Sequence, residues 1–205
     1  ASLRTARKKS ESLDNLVREL EMEFASLIKD TDSWEPDIKL LEQVSLWTAL
    51  TQTSNLVRTL VDGNSVDLHE SINRKLPKAF LVMFICNHCP YVKAILTKLV
   101  EEGQKLTRAG ISTFAICSND SEEYPEDSFE NMKLIATRYQ FPFPYLHDEN
   151  QKVAKDFGAV CTPDFFGFNS DKILKYRGRL DDSGKKHQIG GKSELTEAMI
   201  EIAET

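Results

Sequence analysis

A short, continuously apolar run, Ala79-Phe80-Leu81-Val82-Met83-Phe84-Ile85, leads directly into Cys86-Asn87-His88-Cys89-Pro90. A partly β-branched run with no polar alternation is the pattern of a strand covered on both faces of a sheet. Beyond it, Val92, Ile95, Leu96, Leu99 and Val100 recur at helical spacing. The chain therefore has to build a sheet with both faces covered, and its two cysteines sit where a buried strand hands over to a helix. Unpaired N–H groups and the dipole at a helix start favour an anion. The placement thus predicts that Cys86 ionises easily, at or below neutrality, against about 8.5 for a free thiol. A second thiol three residues on can close on it as a disulfide.

Two other uses of such a pair are a zinc site and a structural disulfide. Zinc commonly takes four ligands, often from two such pairs. No second CxxC occurs, and Cys117, Cys161, His88 and His147 are scattered singly. A structural disulfide has no need of a strand-to-helix junction. Redox chemistry is the expectation, with no metal and no cofactor.

At 205 residues the chain has room for one full domain and an appendage. A net charge of −6 argues against a general nucleic-acid binder, which needs a basic face for phosphates. Four cysteines are too few for a disulfide-stapled scaffold. No segment approaches the roughly 20 apolar residues that span a bilayer. Arg4, Arg7, Lys8 and Lys9 are followed by polar residues where a signal peptide would be apolar. The chain opens at Ala1, so an export segment removed earlier is compatible with it. The compartment stays open, with the cytoplasm favoured.

Residues 10–30 carry Leu13, Leu16, Val17, Leu20, Phe24, Leu27 and Ile28 at three- and four-residue steps, an amphipathic helix. Pro36 opens a second helix whose apolar positions run through Trp47 toward Val57 and Leu60. Residues 1–61 are therefore expected to form a helical hairpin, packed on the main domain or used for homodimerisation or partner docking. From about residue 62 the pattern changes. Short strands are expected at 66–68, 111–117, 144–146, 164–169 and 173–179, the last two joined as a hairpin. Helices are expected at 71–76, 90–108, 129–139, 151–157 and 193–204, the last capped by Ser193. Strands alternating with helices, then a hairpin and a closing helix, make an α/β sheet with covered faces.

This order resembles the thioredoxin fold. The strand-Cys86-x-x-Cys89-helix junction carries the resemblance, and Thr162-Pro163 matches that fold's cis-proline position beside the active-site sulfurs. The insert between residues 111 and 148, the stretch Phe84 to Val92, Cys161-Thr162-Pro163-Asp164 and Tyr176-Arg177-Gly178-Arg179-Leu180-Asp181-Asp182 are similar to redoxin-domain, peroxiredoxin-like (AhpC/TSA-related) proteins. The resemblance covers residues 63–205 and implies a thioredoxin-like α/β fold carrying an N-terminal helical extension. It also implies a protein or small-molecule disulfide or thiol as substrate, held beside Thr162 and Pro163.

Within that frame Cys86 is the candidate nucleophile and Cys89 the resolving thiol. Asn87 and His88 between them would tune the couple, since a protonated His88 stabilises a thiolate. Cys161, just before the proline loop, is either a third redox thiol or a buried small residue, and the buried residue is favoured. Cys117 ends a core strand and reads as inert packing. His147 and the acidic loop 120–127 read as a solvated face. Two positions depart from the relatives. Where peroxiredoxins carry a threonine three residues before the reactive cysteine, this chain has Met83, which cannot donate a hydrogen bond. Thioredoxins carry a buried acid on the strand before the CxxC, and this strand has none. Three functions follow: a thiol–disulfide oxidoreductase, a peroxidase with Cys86 as the peroxidatic sulfur, or a redox-sensing protein that docks through its N-terminal helices. Met83 ranks the first above the second.

Overall fold

A computed structural model describes residues 57–59, 65–66, 77–182 and 193–205. A seven-stranded sheet runs through them in the spatial order β2-β1-β5-β4-β3-β6-β7. Its strands are β1 (Val57–Thr59), β2 (Ser65–Val66), β3 (Ala79–Phe84), β4 (Ile111–Cys117), β5 (Tyr145–His147), β6 (Asp164–Asn169) and β7 (Leu174–Gly178). The helices are α1 (Pro90–Arg108), α2 (Phe129–Tyr139), α3 (Lys152–Phe157) and α4 (Glu194–Glu204). Strand β3 is central, parallel to β4 and antiparallel to β6, so both its edges are hydrogen-bonded. Hence its run of apolar residues: nothing along it meets water, and all six are buried.

Alternate residues of β3 feed two cores. Phe80, Val82 and Phe84 join Phe114, Phe157, Phe166 and Phe168 on the face covered by α3. The rings there are stacked for Phe80 and Phe168, centroids 4.8 Å apart, and edge-on for Phe84 and Phe157 at 5.5 Å, arrangements favoured by ring quadrupoles. Leu81, Met83 and Ile85 point the other way, into a core that α1, α2 and α4 supply with Leu99, Met132 and Met199. Helix α4 packs on β6 closely enough that a Cβ built at Gly167 would stand 2.3 Å from Met199 Sδ, so a larger residue there would make the Met199 side chain move. Ser193 caps α4 as the sequence predicts, accepting from the Thr196 N–H at 3.2 Å.

The helical hairpin expected over 1–61, except at residues 57–59, and the short helix at 71–76 lie outside the described residues. At Val57 the outcome differs from the helical reading. Val57–Thr59 is a strand, paired antiparallel with both β2 and β5. Three residues are too few to show a period, and sheet pairing decides their conformation. Among the described residues no helix is long and apolar enough to cross a membrane.

Candidate active site

Strand β3 ends at Phe84, and the Ile85 N–H still donates to Ile116 O of β4 at 2.9 Å. The chain then leaves the sheet at Cys86 and enters α1 at Pro90, whose missing N–H costs nothing in a first turn. Both cysteines are buried, Cys86 to 1 % exposure and Cys89 to 8 %. The Thr162–Pro163 bond is cis, and its loop lies against them. Thr162 Oγ1 is 3.1 Å from Cys86 Sγ, and the Cys89 thiol donates to Thr162 O at 3.3 Å. Cys86 and Cys89 are thus brought together with Thr162, far from them in sequence, and Pro163 follows it in the same loop.

The electrostatics correct one expectation. Burial pushes the Cys86 thiol above its ordinary value, and the hydrogen bonds from Thr162 and from the Cys89 amide only offset part of this. A helix start favours a thiolate, but desolvation of a nearly enclosed sulfur outweighs it here. Cys86 therefore needs a proton acceptor before it can attack.

The segment 120–127 holds the second correction. A 3-10 turn, Pro125–Asp127, carries Asp127 to complete burial. Its carboxylate accepts four hydrogen bonds. Oδ1 takes the backbone N–H groups of Asn87 at 2.5 Å and His88 at 3.1 Å; Oδ2 takes His88 Nδ1 at 2.5 Å and Asn119 Nδ2 at 2.8 Å. Far from being a solvated face, the end of this loop anchors the backbone between the two cysteines. A lone buried carboxylate is costly unless saturated with donors, and this one is. His88 is further held by stacking on Tyr124, centroids 4.1 Å apart and planes 7° from parallel.

Asn87 is held through both ends of its side-chain amide. It is buried, donating from Nδ2 to Glu126 O at 2.8 Å and accepting at Oδ1 from the Tyr145 hydroxyl at 3.1 Å. Burial holds the Tyr145 phenol well above its usual range, so it keeps the proton it donates. Cys161 also departs from the favoured reading: it is exposed, not a buried small residue. Cys117 is fully buried and its thiol is pushed up to about 12 by burial, which fits inert packing. On brief treatment of the native protein with iodoacetamide at neutral pH, Cys161 should be alkylated and Cys117 left unmodified, as read by peptide mass spectrometry. Modification of Cys117 ahead of Cys161 would show that the closed core described above is wrong.

A cleft of about 430 Å³ is lined by His88, Asn119, Tyr124, Lys155, Cys161 and Thr162 among others, with Cys86 and Cys89 behind its wall. His88 and Thr162 thus face the cleft and the reactive sulfur together. Among the described residues one group has the makings of a metal donor set: Cys86, His88 and Asp127, with a donor atom from each within 4.8 Å of the others. Both Asp127 oxygens are already occupied by N–H donors, two of them main-chain. A cation would have to displace bonds that hold the loop, so this arrangement suits proton handling better than metal coordination.

Comparison with known proteins accords with this geometry. The AhpC/TSA family profile matches residues 51–177. An uncharacterised conserved protein of Geobacillus kaustophilus is similar at 44% identity over 71% of this chain and 77% of its own, with a TM-score of 0.63. A hypothetical protein of Sinorhizobium meliloti is similar at 33% identity over 73% and 82%, also at 0.63. A secreted Mycobacterium tuberculosis disulfide oxidoreductase shares 14% identity over 73% of this chain and 96% of its own at a TM-score of 0.53, a likeness of fold alone. No curated protein matches significantly. The match begins ahead of β1, takes in the strand–CxxC–helix junction and the cis-proline loop, and ends in β7: the chain belongs to the AhpC/TSA family and has a thioredoxin-like fold.

Proposed function

We propose that the protein is a thiol–disulfide oxidoreductase in which Cys86 attacks and Cys89 resolves. One observation carries this reading: two cysteine sulfurs at a strand-to-helix junction, both in contact with Thr162 at the edge of an open cleft. The Cys86 thiolate attacks one sulfur of a substrate disulfide, forming a mixed disulfide and releasing the first substrate thiol. Cys89 then gives up its proton and attacks Cys86 Sγ. The Cys86–Cys89 bond forms as the second substrate thiol leaves. Two electrons pass from the protein dithiol to the substrate, and each departing thiolate takes one of the two protons. A protein disulfide or a small-molecule disulfide supplies the substrate class, and Thr162 flanks the sulfur it would approach.

A peroxidase reading has one specific support. Met83 is fully buried in the core on the α1 side and offers no hydroxyl, yet Thr162 places one 3.1 Å from Cys86 Sγ from the opposite loop. A comparison of rates ranks the two. The reduced protein should reduce a model disulfide such as insulin at least several-fold faster than it reduces hydrogen peroxide at equal concentration, since one hydroxyl cannot replace a complete peroxide site. Thr162→Val should slow both, by about tenfold, because the thiolate loses its side-chain donor. Rapid peroxide turnover that vanishes in Cys86→Ser would make peroxide the substrate.

A further inference from the structure

Nothing on β3 itself can take the Cys86 proton: its residues are apolar throughout. His88 has a ring nitrogen within 4.8 Å of Cys86 Sγ, and its orientation is fixed from outside the CxxC segment. We propose that Asp127 is the positioning residue of the reaction, holding His88 in the tautomer and place from which its ring accepts the Cys86 proton. This deepens the oxidoreductase reading above, on which it rests.

The geometry is that of a nucleophile, a base and an orienting carboxylate. A carboxylate accepts and cannot donate, so the proton in the 2.5 Å contact between His88 Nδ1 and Asp127 Oδ2 belongs to the ring. Nε2 is then the lone-pair nitrogen of the neutral imidazole. A ring nitrogen of His88 lies within 4.8 Å of Cys86 Sγ; the proton-accepting role is assigned to Nε2, with one bridging water carrying the proton from the sulfur. The proton leaves Cys86 Sγ for the imidazole, which becomes an imidazolium whose charge Asp127 balances. The thiolate attacks the substrate disulfide, the S–S bond breaks, and the departing sulfur recovers that proton from His88. The base is regenerated for the second half, when the Cys89 proton follows the same exchange.

The His88 ring has defined neighbours. Cys86 and Asp127 face it as titratable groups, Tyr124 stacks on its ring, and neutral Asn119 Nδ2 stands 3.3 Å from Nδ1. Lys155 shares the cleft. The raised Cys86 thiol explains why a base is needed at all.

Alkylation of Cys86 by iodoacetamide reads thiolate formation without requiring exchange. Its rate, followed at the Cys86 peptide from about pH 6 to about pH 10, should show an extra limb near neutrality in the wild type. Asp127→Asn keeps an oxygen for the two backbone N–H groups but turns an N–H toward Nδ1, reversing the tautomer. At neutral pH it should alkylate about tenfold more slowly, as should His88→Gln, and the double variant should fall within about twofold of either single. All should converge near pH 10, where the thiol ionises unaided. A loss equal at every pH, or no loss in folded Asp127→Asn, overturns the proposal. If Asp127→Asn does not fold, His88→Gln decides: a wild-type profile overturns the proposal, and loss of the neutral limb upholds it. Formation of the Cys86–Cys89 disulfide by the wild type after mild oxidation is scored separately. Its absence would defeat the oxidoreductase reading while leaving the proton assignment to the alkylation profiles.

Discussion

Cys89→Ser will stop the reaction halfway, with substrate still attached. The variant keeps the Cys86 nucleophile, so mixing it with a disulfide substrate should give a stable mixed disulfide at Cys86, seen as a mass increase that dithiothreitol removes. Turnover should fall by at least about a thousandfold, because release of the substrate depends on the second thiol. Cys86→Ser should lose turnover to the same extent and trap nothing. The asymmetry follows from placement. Cys86 touches the Thr162 hydroxyl and neighbours a His88 nitrogen, whereas the Cys89 thiol is turned toward a backbone carbonyl, Thr162 O. The decisive readings are the masses of the two variants after substrate. A trapped species on Cys86→Ser, and none on Cys89→Ser, would exchange the two roles.

The parts of this architecture that depend on covering a face were legible in the sequence. The residues of β3, β4, α1 and α4 declare themselves because each must present a fixed periodicity to one core or to two. The cis bond before Pro163 fell to resemblance, since a single proline does not reveal its isomer. What escaped was decided by single long-range contacts. Val57–Thr59 carries no period and becomes a strand through pairing with β5, some ninety residues on; a truncation meant to remove only helices at Asp62 would also remove this strand. Asp127 sits in a segment with Asp120, Glu122, Glu123 and Glu126, where a carboxylate ordinarily faces water. Two of its partners are backbone N–H groups of Asn87 and His88, and amides leave no mark in composition. The clue available was local: Pro125 before it and Ser128 after it bound a tight turn entering α2, which fixes the direction of the side chain between them. The easy ionisation expected of Cys86 failed for a related reason. The helix start was visible, but the depth of the sulfur depends on the Thr162 loop folding over it.

A large loss of stability should come from Lys98→Ala. Lys98 lies on α1 two turns beyond the CxxC, and its ammonium is paired with the Asp181 carboxylate, both side chains at 5% exposure or less. Asp181 follows Leu180, whose carbonyl accepts from the Ser193 hydroxyl at 3.3 Å and the Leu195 N–H at 3.2 Å. The pair therefore joins the redox helix to the segment that seats α4. Taking two charges out of water is expensive, and their attraction offsets that cost only while both remain. Alanine removes the ammonium from a buried ion pair and opens a void where the lysine stem lay, so a loss of about 3–5 kcal/mol is expected. Lys98→Met with Asp181→Leu removes both charges and fills the space, and should lie much closer to wild type, within about 1–2 kcal/mol. Urea denaturation of the reduced proteins measures both. A loss below about 1 kcal/mol in Lys98→Ala would mean the pair is solvated and contributes little. A double variant as unstable as the single would mean that the lysine stem's packing, and not the charge left behind, sets the cost.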